Sequence, residues 1–293
     1  MKIRCSFVIA SVLLFFFASN THAQNSPGPM TPPPKYEVKR ITSDPHPGPP
    51  PIPEQEIIQK FAANEDVMKE KYETYDFTQT IHIEEMADPG GKFSVTGEVY
   101  TRPDGQRFLR VAKQPESDLK VGHFSLEDAR TIISLPLFSL TSREIGNYNF
   151  KYAGEEKLDQ LTTYVFQVKP KLLSRKQRFF EGVIWVDDHD FAIVKSYGKF
   201  VSELSGNGTN LPFTIFETYR ENFQEKYWLP TYTRSDDFIK RADEEDLPLR
   251  LVIRSTDFKL HNPQGEGAAA APSSAAAPAA SPKPAQPQPS PPN

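Results

Sequence analysis

The residues of this chain that could do chemistry are few and scattered. The densest group is Asp187-Asp188-His189-Asp190. Carboxylates and imidazole are metal ligands, so the run offers a metal-binding reading. It lacks a calcium-loop pattern, however, and acidic residues are at home in exposed hairpin turns. The sequence therefore assigns these residues to a turn and no metal to the chain. His82, His123 and His189 stand singly, with no acid partner identifiable in the sequence, so no catalytic triad can be built from them. Glu84 and Glu85 end an alternating stretch in which successive side chains point to opposite faces, which makes them a poor acid/base pair. Asn207-Gly208-Thr209 matches a glycosylation acceptor, a short pattern that glycine-rich loops contain by chance. There is no phosphate loop, no dinucleotide glycine pattern, no His-Glu-x-x-His and no Gly-x-Ser-x-Gly. The expectation is a protein that is not an enzyme and has no catalytic residue, metal or cofactor.

The ends of the chain indicate a compartment. Lys2 and Arg4 precede the apolar run Phe7 to Ala18, and Thr21-His22-Ala23 places small side chains before a cut ahead of Gln24. This is the layout of a signal peptide over residues 1–23. The rival reading, a retained membrane anchor, needs about 20 apolar residues, and Asn20 interrupts early. The single cysteine, Cys5, lies before the apolar run, so the mature chain has no disulfide, thiol catalysis or cysteine zinc site. Removing Lys2 and Arg4 moves the net charge from −4 to −6, which argues against nucleic acid as a partner. Of the 28 prolines, eleven lie between Pro27 and Pro53 and nine between Pro263 and Pro292. Residues 24–53 read as an extended linker, and residues 262–293, Ala/Pro-rich and nearly uncharged, as a disordered tail. Both ends suit spacers, or docking segments for a proline-binding partner. Residues 54–261 are left as one domain with a sizeable core.

Within that domain a helix should open at Pro53, with Glu54 and Glu56 at its positive end and Ile57, Ile58, Phe61, Ala62, Val67 and Met68 on its apolar face. From Tyr75 the period changes to two. Tyr75, Phe77, Gln79, Ile81 and Ile83 alternate with polar residues, then Phe93, Val95, Gly97 and Val99 do the same. With Arg107 to Ala112 this makes a three-stranded meander. Ser125 and Asp128 resemble a capping box opening a helix that leads into Ile132, Ile133, Leu135, Leu137, Phe138 and Leu140, where Pro136 should end or kink it. This apolar segment is either a plug in the core or a lid over a cavity. Strands resume at Asn147 to Ala153 and Thr162 to Lys169. A hairpin around Asp187–Asp190 follows, with Phe180, Gly182, Ile184 and Val186 on one side of its first strand, and Phe191, Ile193, Lys195 and Tyr197 on one side of its second. The last strands are Phe213 to Tyr219, Trp228 to Arg234 and Leu249 to Phe258. Pro230 points to an edge or strand-start position, and Asp236 to Asp246 reads as a charged loop or short helix. About ten antiparallel strands and two helical segments give an α+β fold: a strongly curved antiparallel sheet forming an incomplete β-barrel covered by helices.

Phe180-Glu181-Gly182-Val183-Ile184-Trp185-Val186-Asp187, then Phe191-Ala192-Ile193-Val194-Lys195, preceded by Tyr164-Val165-Phe166-Gln167-Val168-Lys169-Pro170 and followed by Trp228-Leu229-Pro230, resemble the LolA-like superfamily. That group includes periplasmic lipoprotein carriers, LolB receptors and the lipid-sensing half of RseB regulators. The first half of the chain matches in pattern only. The resemblance implies a periplasmic, non-covalent carrier of lipoprotein acyl chains or lipid, with Leu126 to Leu140 as part of a lid. The candidate cavity and lid residues are Phe77, Ile81, Phe93, Val95, Ile132, Leu135, Leu137 and Phe138. Carriers of this family place an arginine near the lid. The stretch Tyr75 to Thr101 contains none, and Arg107 and Arg110 are substitutes by type only. Two other readings stay open: an envelope protein-interaction or stress-sensor module on the same fold, with an envelope protein as partner, and a secreted enzyme, which would need a polar cleft of clustered carboxylates or histidines.

Overall fold

The computed structural model of this chain describes residues 43–102, 106–134, 138–203, 212–240 and 245–261. The signal segment, the C-terminal tail, Leu135, Pro136, Leu137 and Asn207-Gly208-Thr209 lie outside the described residues. The elements run α1 (Glu54–Glu73), β1 (Tyr75–Glu85), β2 (Lys92–Thr101), β3 (Arg107–Val111), β4 (Glu116–Ser117), α2 (Leu126–Ser134), β5 (Tyr148–Leu158), β6 (Leu161–Pro170), β7 (Phe179–Asp187), β8 (Ile193–Val201), β9 (Ile215–Phe223), β10 (Tyr227–Ile239) and β11 (Leu247–Leu260). The fold is α+β. Eleven strands form one open antiparallel sheet in the order β3-β2-β1-β11-β10-β9-β8-β7-β6-β5, with β4 paired to β2. Apart from β4, which reaches back to β2, neighbours are consecutive hairpins except where β1 joins β11, pairing Tyr75 with Leu260.

Helix α1 ties the sheet together. Its buried residues recur at Ile57, Ile58, Phe61, Ala62, Glu65, Met68 and Tyr72, the three-and-four spacing of one helical face. Ile57, Ile58, Phe61 and Ala62 belong to a core cluster with Phe166, Val168, Phe180 and Ile184 of β6 and β7. Met68 and Tyr72 belong to a second cluster, with Phe77, Ile81 and Leu251 of β1 and β11. Val67, expected on the apolar face, is exposed, because the face is completed by Glu65 and Tyr72 instead. Helix α2 opens on the reciprocal cap expected of Ser125 and Asp128: the Ser125 N–H donates to Asp128 Oδ2 at 2.8 Å, and the Asp128 N–H to Ser125 Oγ at 3.3 Å.

Two sequence expectations need correction. The alternation of the second hairpin strand breaks at a bulge, where the register shifts between Trp185 and Val186. Ile193 consequently packs with Val186 and Phe191 in the cluster beneath α1, while Lys195 stands over the Trp185 ring, 4.6 Å from its centre, on the opposite face. Residues Asp236–Ile239 are strand, not loop, because Arg234 and Arg250 donate to the Asp236 carboxylate and neutralise it within the ladder. Pro230 occupies a position that needs no second ladder partner. It pairs only with Arg220 of β9, at a bulge, and the β10–β11 ladder begins beyond it at Tyr232.

Candidate functional site

Between the two core clusters the large side chains give way to short polar ones. Ser196 of β8 lies opposite Thr218 of β9, Thr218 opposite Thr233 of β10, and Ser255 of β11 opposite Gln79 of β1. A row of hydroxyls and one amide cannot fill the space that Phe77 and Leu251 fill on one side and Phe166 and Ile184 on the other. The result is a cavity of about 130 Å³. The bulge at Trp185/Val186 matters here, since it sets Ser196 and Gly198 on the cavity side of β8. The cavity walls are apolar: Ile132 and Ile133 come from α2, Phe216 from β9, and Phe138 and Phe180 pack as a tilted pair with ring centres 4.2 Å apart.

Two arginines line the cavity, and both are engaged. Arg107 donates to the Tyr72 hydroxyl at 3.4 Å. Burial pushes the Tyr72 hydroxyl above the ordinary phenol range, with Arg107 opposing in part, so it stays protonated at neutral pH. Arg220 is deeper. It forms a two-pronged pair with Glu65 of α1, both side chains at 1–2% exposure, and donates to the Phe138 carbonyl at 3.0 Å. The Glu65 carboxylate also accepts the Leu140 N–H at 3.2 Å. One ion pair thus joins α1, β9 and the segment after α2. Arg220 also borders a second space of about 260 Å³, lined by Asn64, Asp190, Glu225, Lys226 and Trp228. That space is larger, but its lining is mixed: Val67, Met68 and Ala192 stand beside Glu65, Asp190, Glu225 and Lys226, so an apolar ligand there would meet charge.

Of the sequence-derived candidates, Ile132 and Phe138 line the 130 Å³ cavity. Phe77, Ile81, Phe93 and Val95 are packed inside the neighbouring core cluster, and Leu135 and Leu137 lie outside the described residues. Sequence reasoning missed Glu65, Arg220 and the polar row. Glu65 carried a signal, being the charged residue on the buried face of α1. Gln79 carried another, as the polar member of the Tyr75–Ile83 series. His189 has a neighbour the sequence did not identify: its Nδ1 lies 2.9 Å from Asp188 Oδ1 on the exposed turn. Asp187 accepts the backbone N–H groups of His189 and Asp190, the ordinary work of an aspartate in a turn. Among the described residues no group of three or more acids, histidines or cysteines could hold a metal ion. Chemically, the cavity can enclose a small ligand and hydrogen-bond it.

No family model and no curated protein matches the chain. Among solved structures it is similar to a LolA superfamily protein from Nitrosomonas europaea, with 17% identity over 71% of this chain and 93% of that one, at a TM-score of 0.31. It is similar to an outer membrane lipoprotein-sorting protein domain from Vibrio parahaemolyticus, with 12% identity over 69% and 93%, at 0.34. It is also similar to a chain of the MucA/MucB complex of Pseudomonas aeruginosa, with 11% identity over 69% and 93%, at 0.21.

Proposed function

We propose that this protein is an exported, non-enzymatic binder or carrier of acyl chains, borne by lipoproteins or lipids of the bacterial cell envelope. In this reading residues 1–23 direct export to the periplasm, residues 54–261 form the binding domain, and the proline-rich ends are spacers. The sheet acts as an incomplete barrel, with α1, α2 and residues 138–140 as its cover. The observation that supports the reading is the cavity between two dense cores, with aliphatic and aromatic walls. At about 130 Å³ it falls below the roughly 300–1,000 Å³ of pockets that enclose drug-sized ligands. A full acyl chain therefore requires α2 and Phe138 to move outward. Burying a methylene contributes about 0.8 kcal/mol, so a dozen offer roughly 10 kcal/mol to set against that movement.

The test is native mass spectrometry of the protein purified from a bacterial envelope, beside Ser196→Leu. Ser196 faces the cavity, so the larger side chain fills it without entering either core. Acyl lipid retained by the parent and absent from a folded Ser196→Leu supports the reading. A parent that carries no lipid and takes up none of an added lipopeptide sinks it, and leaves the envelope protein-interaction module as the reading to pursue.

A further inference from the structure

Among the described residues, two polar atoms on the cavity floor have no hydrogen-bond partner. Gln79 is only 9% exposed. Its Nε2 donates to Ser255 Oγ at 3.1 Å, and its Oε1 has no hydrogen-bond partner. Turning the amide over changes which atom is left alone but not that one is. On the next strand but one, Thr231 Oγ1 is also buried without a partner. It lies at the Pro230 bulge, where β10 has no ladder to β11. Gln79 and Thr231 line the same cavity, whereas the other floor hydroxyls of Thr218 and Thr233 satisfy each other at 2.9 Å. A buried polar group without a partner costs stability that an aliphatic residue of similar size does not. A cavity meant for bare hydrocarbon would thus be better floored with valine and leucine.

We infer that the cavity takes a neutral, hydroxyl-bearing amphiphile, whose hydroxyl bonds Gln79 and Thr231 while its chain lies against Ile132, Ile133 and Phe138. A hydroxyl is the group that fits, because it both donates and accepts and so serves either orientation of the Gln79 amide. Neutrality follows from Arg220 in the cavity lining, which is already matched by Glu65, so that an added anion would compete with a buried carboxylate. This inference rests on the acyl-binding reading of the same cavity and adds a head-group requirement to it.

The experiment compares two ligands of equal chain length by isothermal titration calorimetry on the full mature chain: monodecanoylglycerol, which has free hydroxyls, and methyl decanoate, which has none. Each is measured against the parent, Gln79→Leu and Thr231→Val, with thermal melts to confirm that the variants fold. The glycerol ester should bind the parent about tenfold more tightly than the methyl ester, the usual consequence of filling or leaving empty a buried hydrogen-bonding site. In Thr231→Val, which keeps the shape of the side chain, and in Gln79→Leu, the preference should fall to within about twofold while methyl ester affinity holds or rises. Equal binding of both esters by the parent overturns the inference, reduces the floor to a site for water, and leaves acyl binding standing. A preference that persists in both variants also overturns it, by placing the recognition elsewhere. Binding of neither ester overturns the inference and the acyl-binding reading together.

Discussion

Glu85 shows how much one carboxylate can organise. It is buried at the end of β1 and accepts four backbone N–H groups, from Gly91, Lys120, Val121 and Gly122, at 2.6–2.9 Å. Burial pushes its carboxyl up, but the donors of Gly122, Lys120, Val121 and Gly91 together hold it below the usual 4.5. A depressed folded value means that the stabilisation is fully present above the unfolded value and disappears as pH falls through the folded one. Glu85→Gln should therefore cost about 1–3 kcal/mol in urea unfolding at pH 7, with the gap to the parent closing as pH falls below the usual 4.5. A gap that stays constant across that range would show that the loop does not depend on the charge. Glu65 and Arg220 call for a different test, because a buried pair does little net work while either half alone is costly. Arg220→Leu should lose about 3–5 kcal/mol, and Glu65→Leu with Arg220→Leu should recover most of it. Additive losses in that double-mutant cycle would refute the coupling. These residues were only half legible in the sequence. The chain shows that Glu65 shares a helical face with Phe61 and Met68, and Gln79 a strand face with Phe77 and Ile81. It does not show which distant strand supplies the partner, and Arg220, 155 residues from Glu65, is fixed only by the order of the strands.

At the scale of elements, the sequence was most readable where a single period ran unbroken. The alternation of β1, β2, β6 and β7 appears in the structure with the expected faces, and the capping box of α2 forms as read. The sequence failed where a bulge resets the alternation. The shift at Trp185/Val186 reverses the side of Lys195, and the one at Pro230/Tyr232 opens the floor beside Thr231. A bulge adds one residue against a partner strand, so it is a property of two strands and cannot be seen in one. The cavity was illegible for a related reason, since it arises where short side chains from five neighbouring strands coincide. Helix α2 is short, with nine residues, and its cap is what holds Ile132 and Ile133 against the cavity. Losing an N-cap side chain costs about 0.5–2 kcal/mol. Ser125→Ala and Asp128→Ala should each lower stability by that much. Hydrogen exchange should show it in the amides of 126–134 first, because a nine-residue helix has little stability of its own. Loss of protection spread evenly over the sheet would instead mean that α2 is part of the global unit.

At the scale of the whole molecule, the boundary drawn from composition at Glu54 leaves out a contact made by the linker. His46 forms an isolated antiparallel bridge with Glu155 of β5, its N–H donating to the Glu155 carbonyl at 2.7 Å and its carbonyl accepting the Glu155 N–H at 3.1 Å. Ser43 Oγ donates to the Glu156 carboxylate at 2.8 Å, which also accepts the Trp185 indole N–H at 3.0 Å, and Ile52 packs against the core cluster beneath α1. The bridge is shaped for glycine on the other side. Gly154 sits at a bulge with φ of 133°, and a Cβ there would lie 2.2 Å from the His46 carbonyl oxygen. Strand β5 is the last in the sheet order, and an uncovered edge strand offers a row of unpaired N–H and C=O groups to another copy of the chain. A chain beginning at Glu54 should accordingly be about 1–3 kcal/mol less stable in urea than one beginning at Gln24, and should self-associate in sedimentation as concentration rises. Gly154→Ala in the longer chain should reproduce part of both effects by forcing the strap off β5. If the shorter chain matches the longer in stability and stays monomeric, residues 43–53 do no more than rest on the edge, and β5 protects itself by the bulge alone.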